Sequence, residues 1–130
     1  MEKIPAGTWV VVADGEGARV FTNIGDEKQL SLRQDTLLSQ DDSSNTGPGD
    51  MPMDKTDADH GEAAFSRELA MRINAAALKN EFEHFVLIAD PHSLGRMRPL
   101  LHKETLSRMV GELSKTLTNS PIEDIERALR

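Results

Sequence analysis

The sequence predicts one α/β domain, residues 1–130, with a mixed sheet and elements in the order β-β-β-α-β-α-β-α. Three observations support this. Two segments rich in β-branched residues flank a glycine-containing turn near the start, which indicates a hairpin. Residues 85–89 form a continuous apolar run, which is typical of a strand covered on both faces. Capped segments with helical spacing lie between and after the strands.

The first half of the chain predicts a three-strand meander. Residues 8–13 form the first strand, and the turn Asp14-Gly15-Glu16-Gly17 leads into a second strand at residues 18–24. A further turn at residues 25–28 precedes a third strand, which includes Leu30, Leu32 and residues 36–38. One face of this third strand is expected to be solvated because its apolar residues are interrupted by polar ones.

Residues 39–61 are predicted to form a flexible acidic loop. The window 35–62 holds eight acidic residues and one basic residue, so it accounts for the whole net charge of −7 and leaves fourteen of each sign elsewhere. Few of its side chains are apolar enough for burial. A loop of this length inside a compact domain is usually either disordered or functional, and an acidic loop of this kind could bind a protein partner.

The first helix is predicted from a capping box and a buried stripe. Asp59 is the expected N-cap and Glu62 follows three residues later. Apolar residues recur at helical spacing from Phe65 to Ala77, and the helix is expected to end near Asn80.

The second half predicts an alternation of strands and helices. After the strand at 85–89, Ser93 is the expected N-cap of a second helix, which includes Leu94, Met97, Leu100 and Leu101 and is kinked by Pro99. Between residues 106 and 117 either a continued helix or a strand near 109–113 is possible, and the strand is favoured. Ser120, Pro121 and Glu123 predict the N-cap, first position and capping-box residue of a final helix.

The predicted order is that of ribonuclease H-like folds, and two stretches carry a more specific resemblance. Residues 9–21 read Trp-Val-Val-Val-Ala-Asp-Gly-Glu-Gly-Ala-Arg-Val-Phe, and residues 85–121 include the run ending Ala-Asp-Pro and the segment Ser-Leu-Gly-Arg-Met-Arg. Together they resemble the bacterial family labelled "protein required for attachment to host cells". That family is similar to the middle domain of archaeal and eukaryotic peptide-chain release factors, which implies a ribosome or structured RNA as partner. The resemblance covers nearly the whole chain apart from the acidic loop.

The resemblance also points to a candidate functional loop. Release factors of this kind carry a Gly-Gly-Gln loop immediately before a long helix, and the matching place here holds Gly47, Pro48, Gly49 and Asp50. Two glycines allow close approach of backbone to a ligand. The glutamine is missing and Pro48 has no backbone N–H, so release chemistry is not carried over.

An alternative is a metal-dependent phosphoesterase. In ribonuclease H-like nucleases, acids from the first strand, first helix and fourth strand hold two divalent metals. Asp14, Glu68 (or Glu62) and Asp90 occupy the corresponding topological places. Against this alternative, Asp14 lies in the hairpin turn and Asp90-Pro91 equally terminates a strand.

Four histidines, His60, His84, His92 and His102, show none of the spacings of paired metal ligands. His92 is the most interesting of them because it follows the carboxyl end of a parallel strand, where ligands commonly bind. No phosphate-binding or dinucleotide-binding glycine motif is present, so no cofactor is predicted.

A basic surface is predicted after the fourth strand. Arg96, Arg98, Lys103, Arg108 and Lys115 outnumber the acids in residues 93–115, and Arg96 and Lys103 are expected to share a helical face. Arg96, Arg98 and Lys103 are the candidate contacts to RNA phosphate. The alternative is an ordinary solvated helix face.

The absence of cysteine excludes disulfides and thiolate chemistry, and no apolar run reaches the length of a membrane span. We therefore expect a cytoplasmic protein without a membrane partner. The leading hypothesis is a non-catalytic binding domain associated with ribosomes or structured RNA. The phosphoesterase and a protein-interaction module that uses the acidic loop are the alternatives.

Overall fold

The computed structural model describes residues 4–39 and 57–130. In chain order the elements are β1 (Trp9–Ala13), β2 (Gly17–Asn23), β3 (Leu32–Ser39), α1 (Asp57–Leu78), β4 (Phe85–Ala89), α2 (Pro91–Met97), a 3₁₀ turn (Arg98–Leu100), α3 (Lys103–Ser107), β5 (Met109–Ser114) and α4 (Ile122–Leu129). The predicted order is confirmed, with the second helix divided into α2 and α3. No helix among the described residues is long and apolar enough to cross a membrane.

The five strands form one mixed sheet in the order β3-β2-β1-β4-β5. The meander β1-β2-β3 is antiparallel, with Val11 opposite Val20, whereas β4 runs parallel to both β1 and β5. β1 therefore lies at the centre and joins the antiparallel half of the sheet to the parallel half. The mixed sheet predicted from the sequence is confirmed.

Helices cover both faces of this sheet. On one face Val11 and Leu87 pack with Phe65 and Leu69 of α1 and with Met97 of α2. On the other face α4 contributes Ile125 and Leu129, which pack against Val10, Val12, Phe21, Val86 and Ile88. All five residues of β4 are buried, as its continuous apolar sequence predicted.

Helix α1 begins earlier than predicted. It starts at Asp57, so Asp59 lies inside the helix, and residues 57–61 of the predicted loop are helical. Acidic side chains stabilise the first turn of a helix, so the composition that suggested a loop also suits this turn. Helix α1 ends at Leu78, and Asn80 adopts the left-handed conformation (φ 59°) that commonly follows a helix.

The second helix also differs from the prediction. Its N-cap is Asp90, whose Oδ2 accepts a hydrogen bond from the N–H of Ser93 at 3.2 Å, and Pro91 occupies the first turn. Ser93 is therefore inside the helix. The helix stops at Met97, and Pro99 lies in a 3₁₀ turn instead of kinking a continuous helix. Proline lacks the N–H that a longer helix would need, so the chain turns and α3 starts afresh.

The last two elements were predicted more closely. The strand favoured over a continued helix is present as β5, from Met109 to Ser114. Helix α4 starts at Ile122, with Pro121 as an N-cap that makes no side-chain bond. Ser120 therefore lies one residue too early to cap it. The side chain of Ser120 makes no hydrogen bond with any residue that the structure describes, while its backbone carbonyl accepts one from Arg19.

Candidate functional site

The hairpin turn after β1 is tied to the segment after β5. Oδ1 of Asp14 accepts hydrogen bonds from the backbone N–H groups of Glu16 at 2.7 Å and Gly17 at 2.8 Å. Oδ2 of Asp14 accepts from the Thr118 hydroxyl at 2.5 Å. Both carboxylate oxygens are therefore engaged in holding the turn closed and in joining two distant parts of the chain.

Arg19 strengthens the same junction. Its Nη1 donates to the carbonyl oxygens of Thr118 at 3.1 Å and Ser120 at 2.6 Å, and its Nε donates to Oε1 of Gln34 at 2.9 Å. Sequence reasoning missed this role, because the partners on the β5 side lie about a hundred positions away and no local pattern marks them.

The side chain of Glu62 packs against Gly15 of the hairpin turn and forms an ion pair with Arg96, one of the predicted RNA-binding residues. A Cβ placed on Gly15 would come within 2.6 Å of Cγ and Cδ of Glu62, so glycine leaves the space that this side chain occupies. Oε1 of Glu62 is 3.4 Å from Nη1 of Arg96, whose side chain is 29% exposed. Arg96 is thus partly buried and paired with Glu62.

The predicted shared face of Arg96 and Lys103 is wrong. That prediction assumed one helix through both residues, but α2 ends at Met97 and Lys103 begins α3. Helical spacing therefore no longer relates the two side chains.

Arg98 and Lys103 lie on either side of the link between α2 and α3. The side chain of Arg98 is 61% exposed, and its Nε lies 3.3 Å from Oε2 of Glu112. Among the described residues that oxygen has no hydrogen-bond partner, so the contact has ion-pair distance without hydrogen-bond geometry. Lys103 is exposed and forms no ion pair with any described residue. We call Arg98 and Lys103 the basic link.

The other predicted cations differ in availability. Arg108 is fixed in place: it donates to Oε2 of Glu104, to the Phe82 carbonyl at 2.6 Å and to Oδ1 of Asn80. It joins α3 to the end of α1 and has a structural role. Lys115 is exposed and has no ion-pair partner within the described residues, and it lies just beyond β5.

The three carboxylates of the alternative metal site are not brought together. Asp14 holds the hairpin turn, Glu68 forms an exposed contact with Arg72 at 3.4 Å, and Asp90 caps α2. Among the side chains that the structure describes, no three histidines or carboxylates are grouped so that they could hold a metal ion. Replacing Glu68 by Glu62 does not assemble such a group either.

The remaining predicted residues give no catalytic arrangement. The side chains of His84, His92 and His102 make no hydrogen bond or ion pair with other described residues, and His92 and His102 are exposed. The side chain of His60 and the candidate loop Gly47, Pro48, Gly49 and Asp50 lie outside what the structure describes.

A groove that the sequence did not predict lies between α1 and the antiparallel half of the sheet. It has a volume of about 360 Å³. Trp9, Val11 and Val20 line it from the sheet, and Leu69 and Ile73 line it from α1. The sequence marks these residues only as core positions, so the space between them is a property of how α1 sits on the sheet.

A comparison with protein-family models matches residues 7–129 to the family described as bacterial archaeo-eukaryotic release factor family 12. The matched range contains all the strands and helices that the structure describes. No curated protein matches the chain.

Proposed function

The chain belongs to bacterial archaeo-eukaryotic release factor family 12, and from that premise we propose that it is a non-catalytic binding domain that associates with ribosomes or structured RNA. The relation to release factors that the sequence suggested is confirmed by this membership. It supports a role connected with translation. The host-attachment label remains a prediction, as does a protein partner for the acidic loop.

The burial of the aromatic residues favours structured RNA over single-stranded RNA as the ligand. The chain has five aromatic residues, four Phe and one Trp. All four phenylalanines are buried, and Trp9 is half-buried with its ring 4.9 Å from that of Phe82. Proteins that bind single strands stack bases on exposed aromatic rings. Because no Phe, Tyr or Trp ring is exposed, an RNA contact relies mainly on phosphates and on the shape of a folded RNA.

The basic link supplies the phosphate contacts in this proposal. Arg98 is largely exposed and only loosely paired, and Lys103 is exposed and unpaired among the described residues. The net charge of −7 is concentrated in residues 35–62, and the rest of the chain is balanced in sign. Arg96, which the sequence grouped with these two, contributes less because its side chain is 29% exposed, against 61% for Arg98.

Fluorescence anisotropy with a labelled ribosomal RNA stem-loop tests the proposal. We expect salt-dependent binding, and we expect Arg98→Glu with Lys103→Glu to lower the slope of log K against log salt by about two, one for each lost phosphate contact. A single-stranded oligonucleotide of the same length should bind more weakly.

The matched control is Lys28→Glu with Arg127→Glu, which makes the same charge change at two exposed residues outside the basic link, with Arg127 on α4 against the opposite face of the sheet. If both double variants lose the same affinity, binding reflects net charge alone and the proposed surface is wrong.

A further inference from the structure

The groove beside α1 exists because two small residues and a β-bulge leave space between helix and sheet. Helix α1 presents Ala75 and Ala76 to the groove where larger side chains would fill it. On the sheet side, β2 pairs Val20 with Thr36 and Phe21 with Gln34, so Asp35 is an extra residue on β3. Bulges of this kind re-aim a side chain, and Asp35 lines the groove.

The floor of the groove is apolar and suits an apolar ligand body. Trp9 and Ala75 are its accessible apolar residues, whereas Val11, Val20, Leu69 and Ile73 also line it but are buried. Small-molecule sites are typically concave and mostly apolar, with a few polar groups that fix orientation, and begin at roughly 300 Å³. The volume of about 360 Å³ is therefore at the small end of that range.

The two walls of the groove carry opposite charges. On the helix wall, Arg72 and Lys79 lie two turns apart on one face. Arg72 has only the 3.4 Å contact with Glu68, and Lys79 has no ion-pair partner among the described residues. Glu81 also lines the groove and is exposed, so it offsets part of this positive charge.

On the sheet wall, Asp35 is held as a carboxylate. Its Oδ2 accepts from the Thr22 hydroxyl and its Oδ1 accepts from Nε of Arg33 at 2.9 Å. The Thr22 hydrogen bond, and after it Arg33, lower the pKa of Asp35 below its ordinary value, while slight desolvation opposes them. Each oxygen retains acceptor capacity for a further donor.

We propose that this groove binds a small zwitterion with an apolar body, of the size of a dipeptide, whose ammonium group contacts Asp35 and whose carboxylate contacts Arg72. The charges stand on opposite walls with an apolar floor between them, so a ligand must carry an ammonium group and a carboxylate separated by an apolar body. A free α-amino acid bears both groups on one carbon with no apolar body between them, so it is the small comparison ligand for this proposal. This inference is independent of the proposed RNA binding.

Isothermal titration calorimetry with the full chain and L-leucyl-L-phenylalanine tests the proposal. We expect saturable binding, and about tenfold weaker binding of the N-acetylated dipeptide, of the dipeptide amide and of free L-phenylalanine, since each loses one charged contact. Asp35→Asn should weaken binding of the unmodified dipeptide about tenfold and leave the N-acetylated form unaffected. Arg72→Gln should likewise weaken binding of the unmodified dipeptide about tenfold and leave binding of the dipeptide amide unaffected.

The controls keep the test specific. Glu27→Gln and Arg67→Gln remove exposed charges outside the groove and should leave the affinity unchanged. Ala75→Trp fills the groove from an exposed position and should abolish binding in a chain whose circular dichroism is unaltered. The proposal is overturned if the dipeptide does not bind, if the capped forms bind equally well, or if binding survives in Ala75→Trp.

Discussion

Asn74 is expected to be the main joint between α1 and the segment that carries the basic link. It is 5% exposed. Its Nδ2 donates to the Leu100 carbonyl at 3.0 Å, and its Oδ1 accepts from the His102 N–H at 2.9 Å and from the Thr105 hydroxyl at 2.7 Å. One side chain therefore satisfies polar groups at the end of the 3₁₀ turn, at the residue before α3 and inside α3.

The cost of Asn74→Ala follows from these three bonds. Each contributes about 1 kcal/mol net, and leaving buried partners unpaired adds to the loss, so we expect about 3 kcal/mol lower free energy of unfolding. Thr105→Val removes one of the three bonds and should cost about 1 kcal/mol. The double variant should cost less than the sum of the two, because both changes delete the same hydrogen bond.

Urea unfolding followed by the fluorescence of Trp9, the single tryptophan of the chain, measures these free energies. Met71→Ala is the matched control, since Met71 is 61% exposed on the same helix and should cost less than about 0.5 kcal/mol. A cost below about 1 kcal/mol for Asn74→Ala, or strict additivity in the double variant, would refute the assignment of Asn74 as the joint.

Three further predictions concern Asp14, Asp35 and the alternative metal site. Thr118→Val removes the hydroxyl that donates a hydrogen bond to Asp14 and should lower the free energy of unfolding by about 1–2 kcal/mol. Thr116→Val, at an exposed residue, is the control. Thr22→Val should raise the pKa of Asp35, which a carboxyl NMR titration measures. Because folding lowers this pKa, the Asp35 carboxylate stabilises the folded chain above pH about 4, and this stabilisation fades as the pH falls. The stabilisation should be smaller in the variant. Calorimetry with Mn²⁺ should show no micromolar binding, and tight binding lost in Asp14→Asn would instead favour the phosphoesterase.

The sheet could be predicted from the sequence because its signals are local and continuous. Residues 85–89 are apolar without interruption and are bounded by polar residues and Asp90-Pro91, so β4 was predicted with its observed ends. The helix starts were less certain because neighbouring residues compete for the same role. Asp90 caps α2 where Ser93 was expected, and acids at 57–61 suit both a loop and a helical first turn.

The candidate site depended on tertiary contacts that no local pattern encodes. The basic residues were identified, but which of them are available is decided by partners far along the chain, such as Glu62 for Arg96 and Phe82 for Arg108. The groove was missed for a similar reason. Ala75 and Ala76 look like ordinary helix residues until the sheet is placed beside them.

Co-sedimentation with purified bacterial ribosomes tests the central claim most directly. We predict that the unaltered chain and the Lys28→Glu, Arg127→Glu control pellet with ribosomes at low salt and are released as salt is raised. The Arg98→Glu, Lys103→Glu variant should remain in the supernatant while its circular dichroism is unaltered. Equal pelleting of all three chains would contradict the proposed use of the basic link, and no pelleting of the unaltered chain would contradict ribosome association itself.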